Sequence, residues 1–372
     1  MTLALLAYAY IGYPILIARG PRGLWRSPRT NAVPVTGRVV LCAAYNEEQT
    51  IRRMVEQALS AEPGDAQVIV VSDASSDRTD EIVAELARGN DRVRLLRAPE
   101  RGGKNRALNL ALRDLAATPD VAVVFTDANA VLDRQAVIRL VDGLNAGATC
   151  VVGQLVFTDA ATATARAEGL YWRYENAIKR GEGRLGRLPV ANGAIFALRA
   201  GDCGEIPPGI GNDLYLPLAV LGGGRRVVFD ETALAYEPAT LHRAEEFSRK
   251  RRMANRQIQG TVTLWPRLDW PTRVQFISHK VIRWFGIPLL AIAFVCAATL
   301  AQVHWAYAVV AAGFAAPFIL AALQAAGIRS RIGALGEHFV VVHWAVLLGI
   351  ADLIRGRSRA VWSPPSTSRS TE

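Results

Sequence analysis

The sequence predicts an α/β fold, with a mostly parallel sheet flanked by helices and transmembrane helices at both ends of the chain. Short apolar runs alternate with helical patterns from residue 38 onward, which is typical of a parallel sheet covered on both faces. Long stretches almost free of charge lie at the two ends. The predicted parts are a transmembrane helix at 1–19, a basic linker at 20–37, a cytoplasmic domain at 38–265, a membrane region of two or three helices at 275–354, and a basic, disordered tail at 355–372.

Composition narrows the class of partner. The 372-residue chain is 51% hydrophobic and carries a net charge of +10, almost all of it from arginine. Such a charge is compatible with nucleic acid, a membrane surface or an anionic substrate. The arginines cluster beside the apolar ends and within 242–260, and no nucleic-acid-binding motif accompanies them. We therefore expect membrane lipids and an anionic substrate as partners, and no nucleic acid. The cysteines have no C-x-x-C spacing and are predicted to be reduced thiols without a zinc site: Cys42, Cys150, Cys203 and Cys296.

The amino-terminal stretch Thr2–Ala18 is long enough to span a bilayer. A cleaved signal peptide is the alternative, but it needs basic residues before the apolar run, whereas Arg19 and Arg22 follow it. The positive-inside rule then predicts an integral protein of the cytoplasmic membrane whose main domain faces the cytoplasm.

Polar residues follow the second and fourth predicted strands, Gln67–Ser72 and the run that begins at Val121. Asp73 ends the second strand, and Asp127 and Asn129 end the fourth. Ligands bind at the carboxyl edge of such sheets. An Asp-x-Asn pair there can hold a divalent cation through oxygen atoms, although an Asx turn would explain the same residues. The remaining early strands are predicted at 38–44 and 92–96, and Ser75 is predicted to cap the helix after the second strand.

The predicted parallel sheet is a nucleotide-binding topology. A nucleotide would have to be held without a glycine fingerprint, because the first strand runs into AAYNEE and no G-x-x-x-x-G-K-[ST] loop is present. Asp73 can accept hydrogen bonds from a base or ribose. Lys104 follows two glycines at a predicted helix start, where an ammonium and free backbone N–H groups can meet phosphate. The alternative for Lys104 is a solvated surface lysine.

The ordered series AAYNEE, SDASSD, GGKNRALN and FTDAN resembles the amino half of family 2 glycosyltransferases, which are inverting enzymes with a GT-A fold. The resemblance implies that Asp73 binds the nucleotide and that Asp127 binds the metal and the diphosphate. Asn129 departs from the second Asp of the family's triplet. The implied cofactor is Mg²⁺ or Mn²⁺, held by Asp127 and Asn129. The implied nucleotide-sugar-binding residues are Tyr45, Glu47, Asp73, Lys104, Asp127, Arg249 and Arg252.

The resemblance continues in the second half. VANGAIFALR, predicted as a strand, resembles the family's acceptor strand, which implies acceptor binding by Asn192 and Gly193. GNDLYLPLAVLGGGRRVVFD resembles its paired-acid motif, with Asn212 in place of the first acid, also implied in acceptor binding, and Asp213 as the catalytic base. From the residues alone, Asp213 could equally be a helix cap or dipole partner.

The basic run at 242–260 contains Arg249-Lys250-Arg251-Arg252-Met253, which matches the Gln-x-x-Arg-Trp motif of membrane-bound members with Arg for Gln and Met for Trp. The match implies that Arg252 pairs with the donor diphosphate. Arg249 and Arg256 are further candidates. The missing Trp weakens a prediction of chain polymerisation.

Two stretches near the carboxyl end, Trp284–Val303 and Trp305–Ala326, are each predicted to span the membrane. His338–Ile354 is shorter and contains Asp352, so that it either spans or lies in the interface. The basic loop at 327–331 and the basic tail are both expected in the cytoplasm. Two carboxyl-terminal spans agree with this expectation, whereas a third span would leave the basic tail outside.

These features predict a membrane-bound inverting glycosyltransferase that moves a hexosyl or N-acetylhexosaminyl group from a UDP- or GDP-sugar to a lipid-linked or polysaccharide acceptor. A nucleotidyltransferase would need a glycine-rich loop after the first strand, which is absent. The alternative from another class is a non-catalytic membrane scaffold or sensor with a vestigial site, suggested by Asn129, Asn212 and Met253.

Overall fold

An eight-stranded sheet forms the centre of the molecule, in the order β3-β2-β1-β4-β7-β6-β8-β5. The computed structural model describes residues 2–20, 33–158, 163–238, 243–328 and 330–357, so that most of the predicted linker and all but the first residues of the predicted tail lie outside the described residues. The strands are β1 Gly37–Ala44, β2 Gln67–Ser72, β3 Val93–Arg97, β4 Val121–Thr126, β5 Val131–Leu132, β6 Cys150–Thr158, β7 Phe196–Arg199 and β8 Val227–Pro238.

The amino half of the sheet is parallel. Strand β1 pairs in parallel with β2 on one side and β4 on the other, and β2 pairs in parallel with β3. The residues of β1, β2 and β4 are almost all buried, as expected for strands covered by helices on both faces. The ends of β2 and β4 therefore flank the end of β1 at one edge, which confirms the predicted α/β architecture. Strand β7 is antiparallel to both β4 and β6.

Helices cover both faces of this sheet. The α-helices of the domain are α2 Ile51–Ser60, α3 Thr79–Gly89, α4 Lys104–Leu115, α5 Ala136–Asn145, α6 Ala163–Arg184, the short α7 Ala200–Cys203, α8 Asn212–Gly222 and α9 Arg243–Leu264. Apolar side chains on the two faces of the sheet form two separate buried clusters. Stacked rings of Phe125 and Phe196, with centroids 4.7 Å apart, join β4 to β7 in one of them.

The predicted strand at 190–198 is shorter than expected. Regular pairing begins only at Phe196, and the residues before it form an irregular segment with a single bridge between Asn192 and Ile195. The backbone N–H of Ala191 donates to the carbonyl of Asp213 in α8 instead of to a neighbouring strand. A contact with a helix therefore replaces the sheet ladder over these residues.

The predicted cap of α3 is wrong. Helix α3 begins at Thr79, four residues after Ser75, and the carboxylate of Asp77 accepts from the backbone N–H of Thr79 at 3.0 Å. The Ser75 hydroxyl instead contacts Ser72 Oγ at 3.1 Å and accepts from the backbone N–H of Asn46 at 3.2 Å. The loop after β2 is thus longer than the serine pattern suggested, and Ser75 joins it to the loop after β1.

Three helices in the described part of the chain are long and apolar enough to cross a membrane, or four if one bent pair counts as a single span. The three are α1 Thr2–Arg19, α12 Ala306–Ala325 and α13 Arg331–Ile354; the bent pair is α10 Trp270–Trp284 with α11 Gly286–Leu300, at 66°. The predicted span Trp284–Val303 is thus broken at its start. Its 15-residue helix α11, at about 1.5 Å per residue, is shorter than a bilayer core on its own.

Buried charges fasten α1 and α10 to the domain. Glu182 of α6 accepts from the Tyr13 hydroxyl at 2.6 Å and contacts His279 Nδ1 at 2.9 Å. Glu175, two helical turns earlier on the same face of α6, accepts from Lys280 at 2.8 Å and also contacts Arg283. Because these groups are buried, each carboxylate needs its partners to offset the loss of water.

Candidate functional site

Asp73 shapes the loop that starts α4. Its two carboxylate oxygens accept the backbone N–H groups of Gly102 and Gly103, each at 2.8 Å, and the residue is only 4% exposed. Gly103 has φ of +87°, a conformation that a side chain disfavours. Each carboxylate oxygen can accept a second hydrogen bond, so Asp73 keeps capacity for a ligand. The predicted nucleotide contact of Asp73 stays a prediction, but its role in orienting the start of α4 is visible.

Lys104 and Asp127 form an ion pair across this edge of the sheet. Their side chains are 26% and 34% exposed, so that both remain within reach of a ligand. Burial opposes the charge of Lys104, but the adjacent Asp127 carboxylate outweighs it and raises the lysine pKa above its ordinary value. A Cβ placed on Gly193 would lie 3.2 Å from Asp127 Oδ2 and 3.9 Å from Lys104 Nζ. Gly193 therefore allows the close approach of backbone and carboxylate here.

The donor set beside Asp127 fits a hard divalent cation only in part. Asp127 and Asn129 follow the end of β4 at half-buried positions and offer oxygen ligands, which Mg²⁺ and Mn²⁺ prefer. Within the described ranges, no group of three His, Cys, Asp or Glu side chains is arranged to hold a metal ion. A cation bound here would therefore take much of its coordination from a diphosphate and water. Lys104 supplies the positive charge that faces Asp127 in this structure.

The loop after β1 forms the wall next to Asp73. Asn46 has φ of +54°, in the left-handed region that Asn tolerates, and its side-chain oxygen accepts from the backbone N–H of Ser76 at 2.8 Å. Glu47 is buried and accepts from the Thr50 hydroxyl at 3.0 Å. The guanidinium of Arg101 lies 3.9 Å from the ring centre of Tyr45. Arg101 is thus a cationic neighbour of a predicted nucleotide-sugar residue that the sequence did not single out.

Asp213 is the second residue of α8, after the extended N-cap residue Gly211. It lies in the first turn and is not the cap residue itself, so the helix-cap alternative is wrong, while the dipole-partner alternative stays open. A Cβ on Gly211 would come within 2.3 Å of Asp213 Oδ1, which explains the glycine. The Asp213 charge favours the charged forms of Lys104, Lys179 and Arg256, although burial still lowers the pKa of the last two, and this interaction places its carboxylate near all three.

Asn212, beside it, is 3% exposed, and its amide nitrogen has no hydrogen-bond partner among the described residues. Asn192 is 2% exposed, and both ends of its carboxamide contact protein groups, Lys179 Nζ and the carbonyl of Gly153. Acceptor binding by Asn192, Gly193 and Asn212 stays a prediction. Of these, Gly193 lies beside Asp127, since a Cβ built on it would be 3.2 Å from Asp127 Oδ2.

The arginine that the structure brings to the carboxylates is Arg256. Its Nη2 donates to the carbonyl of Ile210 at 3.0 Å. Burial lowers its pKa, and the charges of Asp213 and Asp127 oppose that shift, which places the guanidinium near both. Arg252 lies one helical turn earlier in α9, and its predicted diphosphate contact stays a prediction, as does that of Arg249. From the sequence, Arg256 was only a weaker candidate, because several arginines in this run could serve.

The neighbouring Arg251 has a different partner. It forms a two-pronged ion pair with Asp352 of α13, at 2.8 and 2.7 Å, and Asp352 is fully buried. Arg251 of the basic motif thus holds the last described helix, while Arg256, five residues later, lies near the carboxylates.

Comparisons with known proteins agree with this geometry. Residues 39–202 match the family model described as Glycosyl transferase family 2. Over 117 residues the chain is 28% identical to a poly-beta-1,6-N-acetyl-D-glucosamine synthase from Staphylococcus aureus, covering 32% of this chain and 27% of that protein. Over 77 residues it is 40% identical to a beta-monoglucosyldiacylglycerol synthase from Trichormus variabilis, covering 20% of this chain and 16% of that protein. The matched segments thus span less than a third of these relatives.

A solved structure matches over nearly the whole chain. A mannosyltransferase from Pyrobaculum calidifontis, in complex with GDP-Man and Mn²⁺, superposes with a TM-score of 0.67 at 20% identity, covering 96% of this chain and 98% of that one. At this identity the likeness establishes the fold. The structural likeness shows that this chain has a GT-A-like fold, and residues 39–202 carry its match to glycosyl transferase family 2.

Proposed function

We propose that the protein is a membrane-bound inverting glycosyltransferase that uses a nucleotide-sugar donor. The observation that carries this proposal is the proximity of Asp127, Lys104 and Asp213, from the end of β4 and the starts of α4 and α8: Lys104 pairs with Asp127 and interacts with the charge of Asp213. Gly193 lies against the first two. Carboxylates paired with a lysine and a nearby arginine suit a substrate that carries both a diphosphate and a reacting hydroxyl.

Lys104 and Arg256 supply positive charge toward the departing diphosphate, and Asp127 with Asn129 would hold the divalent cation. That cation, when bound, neutralises the charge of the leaving group. Asp213 takes the proton of the attacking hydroxyl. The hydroxyl oxygen forms a bond to the anomeric carbon while the bond from that carbon to the diphosphate oxygen breaks, in one displacement with inversion.

The donor proposed is a UDP- or GDP-sugar, in keeping with the GDP-Man of the structural neighbour, and the metal proposed is Mg²⁺ or Mn²⁺. The acceptor proposed is a lipid-linked or glycan hydroxyl, because the apolar helices α1, α12 and α13 would hold the domain at a bilayer surface. The substitution of Met253 for the aromatic residue favours addition of one sugar over polymerisation.

The experiment is a screen of sugar nucleotides for turnover by the purified full-length protein, measured as release of nucleoside diphosphate with and without Mg²⁺ or Mn²⁺. Water serves as the acceptor, so that the assay needs no knowledge of the natural one. The proposal predicts that at least one UDP- or GDP-sugar is turned over and that a chelator abolishes the activity. Binding of a donor without any turnover would favour the non-catalytic sensor, and no binding at all would contradict both functions.

A further inference from the structure

The irregular segment Ala191–Ala194, here called the bridging segment, connects the two halves of the proposed site. At one end, the backbone N–H of Ala191 donates to the carbonyl of Asp213 at 2.7 Å. At the other end, the carbonyl of Ala194 accepts from the hydroxyl of Thr126, the residue before Asp127, at 3.0 Å. Gly193, between them, lies against Asp127. The position of this segment therefore sets the separation of Asp127 and Asp213.

Lys179 of α6 contacts the bridging segment through its side chain. It is 3% exposed, and its Nζ contacts the side-chain oxygen of Asn192 and, at 3.5 Å, the carbonyl of Ala191. The other end of the Asn192 carboxamide donates to the carbonyl of Gly153 in β6 at 2.6 Å. The carboxamide of Asn192 is thus occupied in fixing the segment between α6 and the sheet.

The charge of Lys179 has no ion pair in the described part of the chain; its polar contacts are neutral oxygens. Burial, together with the charge of Lys280 of α10, lowers its pKa to about 8, while the charges of Glu175 and Glu182 of α6 and Asp213 of α8 oppose that shift. Below this value the group is an ammonium, whose hydrogen bonds to carbonyls are stronger than those of a neutral amine. The buried ammonium thus faces neutral oxygens of the bridging segment and, at 5.2 Å, the ring centre of Trp172.

We infer that Lys179 is a positioning residue for the transfer reaction. It holds the bridging segment through Ala191 and Asn192, and Ala191 in turn holds the backbone of the proposed base Asp213. The inference rests on the proposed function, because it assigns Lys179 a role in the same site. Lys179 touches neither donor nor acceptor in this account; it acts through the distance between the base and the metal-binding edge.

The test is Lys179→Met in the full-length protein, with donor binding and turnover measured separately from pH 6.5 to 9.5. Arg180→Gln is the matched control, because Arg180 is the next residue of α6, is half-exposed and pairs with Glu231 on the surface. We expect Lys179→Met to bind the donor within about twofold of wild type and to lose turnover by about tenfold or more, since small displacements of reacting groups are costly. The control keeps both values.

The pH profile separates positioning from simple structural support. Turnover of the wild type falls as the pH rises through about 8, where Lys179 loses its charge, while donor binding stays level. This decline is absent in Lys179→Met, and Lys179→Arg, which keeps a charge at every pH tested, shifts it upward. If Lys179→Met is too unstable to purify, the wild-type and Lys179→Arg profiles decide the question.

Two results would overturn the inference: Lys179→Met with wild-type turnover, or a loss of donor binding as large as the loss of turnover. If only the pH profiles can be measured, the inference is overturned when the fall of turnover above pH 8 occurs at the same pH in Lys179→Arg as in the wild type. Failure of the proposed function looks different, because the wild type itself then turns over no sugar nucleotide, and the inference falls with it.

Discussion

At the scale of single residues, the site depends on two glycines that admit carboxylates where a methyl group would collide. Gly211 leaves space for the Asp213 side chain, and Gly193 leaves space for Asp127 and Lys104. Neither glycine has a positive φ, so what favours glycine at these positions is the short distance to the neighbouring side chains and not the backbone conformation. A residue of this kind carries no chemistry of its own, yet it sets how closely the reacting groups approach.

Gly193→Ala tests this spacing. The new methyl carbon would lie 3.2 Å from Asp127 Oδ2, so that the carboxylate has to shift by a few tenths of an ångström. We expect turnover to fall by about tenfold, because misplacement of a catalytic group by a fraction of an ångström is already costly. The measurement is donor turnover at saturating donor. Gly89→Ala is the control, since a Cβ there meets nothing within 4 Å, and equal losses in both variants would contradict the explanation.

At the scale of elements, α9 joins the site to the apolar helices. Arg256 of α9 faces Asp127 and Asp213, and Arg251, five residues earlier, pairs with the buried Asp352 of α13. Asn255 donates to the carbonyl of Gly349 at 3.2 Å, and that glycine allows the two helices to touch. Packing of α13 against α9 therefore bears on the orientation of the proposed diphosphate-binding face.

Asp352→Ala is expected to destabilise the protein by about 3–5 kcal/mol, because it leaves Arg251 without the partner of a buried ion pair. The unfolding temperature in detergent measures this effect. Asp114→Ala removes the partner of Arg94 in an exposed pair and is expected to cost less than about 1 kcal/mol. Similar shifts in the two variants would show that the buried pair has no special weight.

The junction between α6 and α10 predicts an acid limit to stability. Burial alone would raise the pKa of Glu175, but the charges of Lys280, Arg283 and His279 outweigh it and hold that pKa well below the ordinary 4.5. A depressed carboxyl pKa stabilises the folded state above the unfolded value, and this stability is lost as the pH falls from about 4.5 through the folded value. Thermal unfolding from pH 7 to pH 3 should show this loss, and Glu175→Gln should flatten it. An unchanged slope in that variant would contradict the assignment.

At the scale of the whole molecule, the sequence predicted the parallel half of the sheet closely, because three mostly buried apolar runs, β1, β2 and β4, ended in turn residues. It failed where contacts distant in sequence decide the structure. The residues at 190–195 read as strand but are held by α6 and α8. The basic run of α9 contains several arginines, and the sequence alone does not show that Arg256 lies near the carboxylates while Arg251 pairs with α13. Lys179 carried no sequence signal beyond the rarity of lysine in this chain.

The apolar helices predict behaviour that the domain alone would not show. With α1, α12 and α13 each long enough to cross a bilayer, we expect the protein to stay in the membrane fraction after alkaline carbonate or high-salt washing and to need detergent for release. Salt alone disrupts charge-based surface attachment, because it screens charges. Release by salt would mean that the basic residues, and not the apolar helices, hold the protein at the membrane.

Asp213 is proposed to act as the base at the nucleotide-sugar site beside Asp127 and Lys104. The most direct test of this role is Asp213→Asn, with donor affinity and donor turnover measured in the same preparation and Glu205→Gln, a surface acid paired with Arg113, as control. The account predicts nearly unchanged donor affinity and a loss of turnover of about 10²–10⁴-fold, the usual contribution of a general base. Wild-type turnover in Asp213→Asn would contradict it.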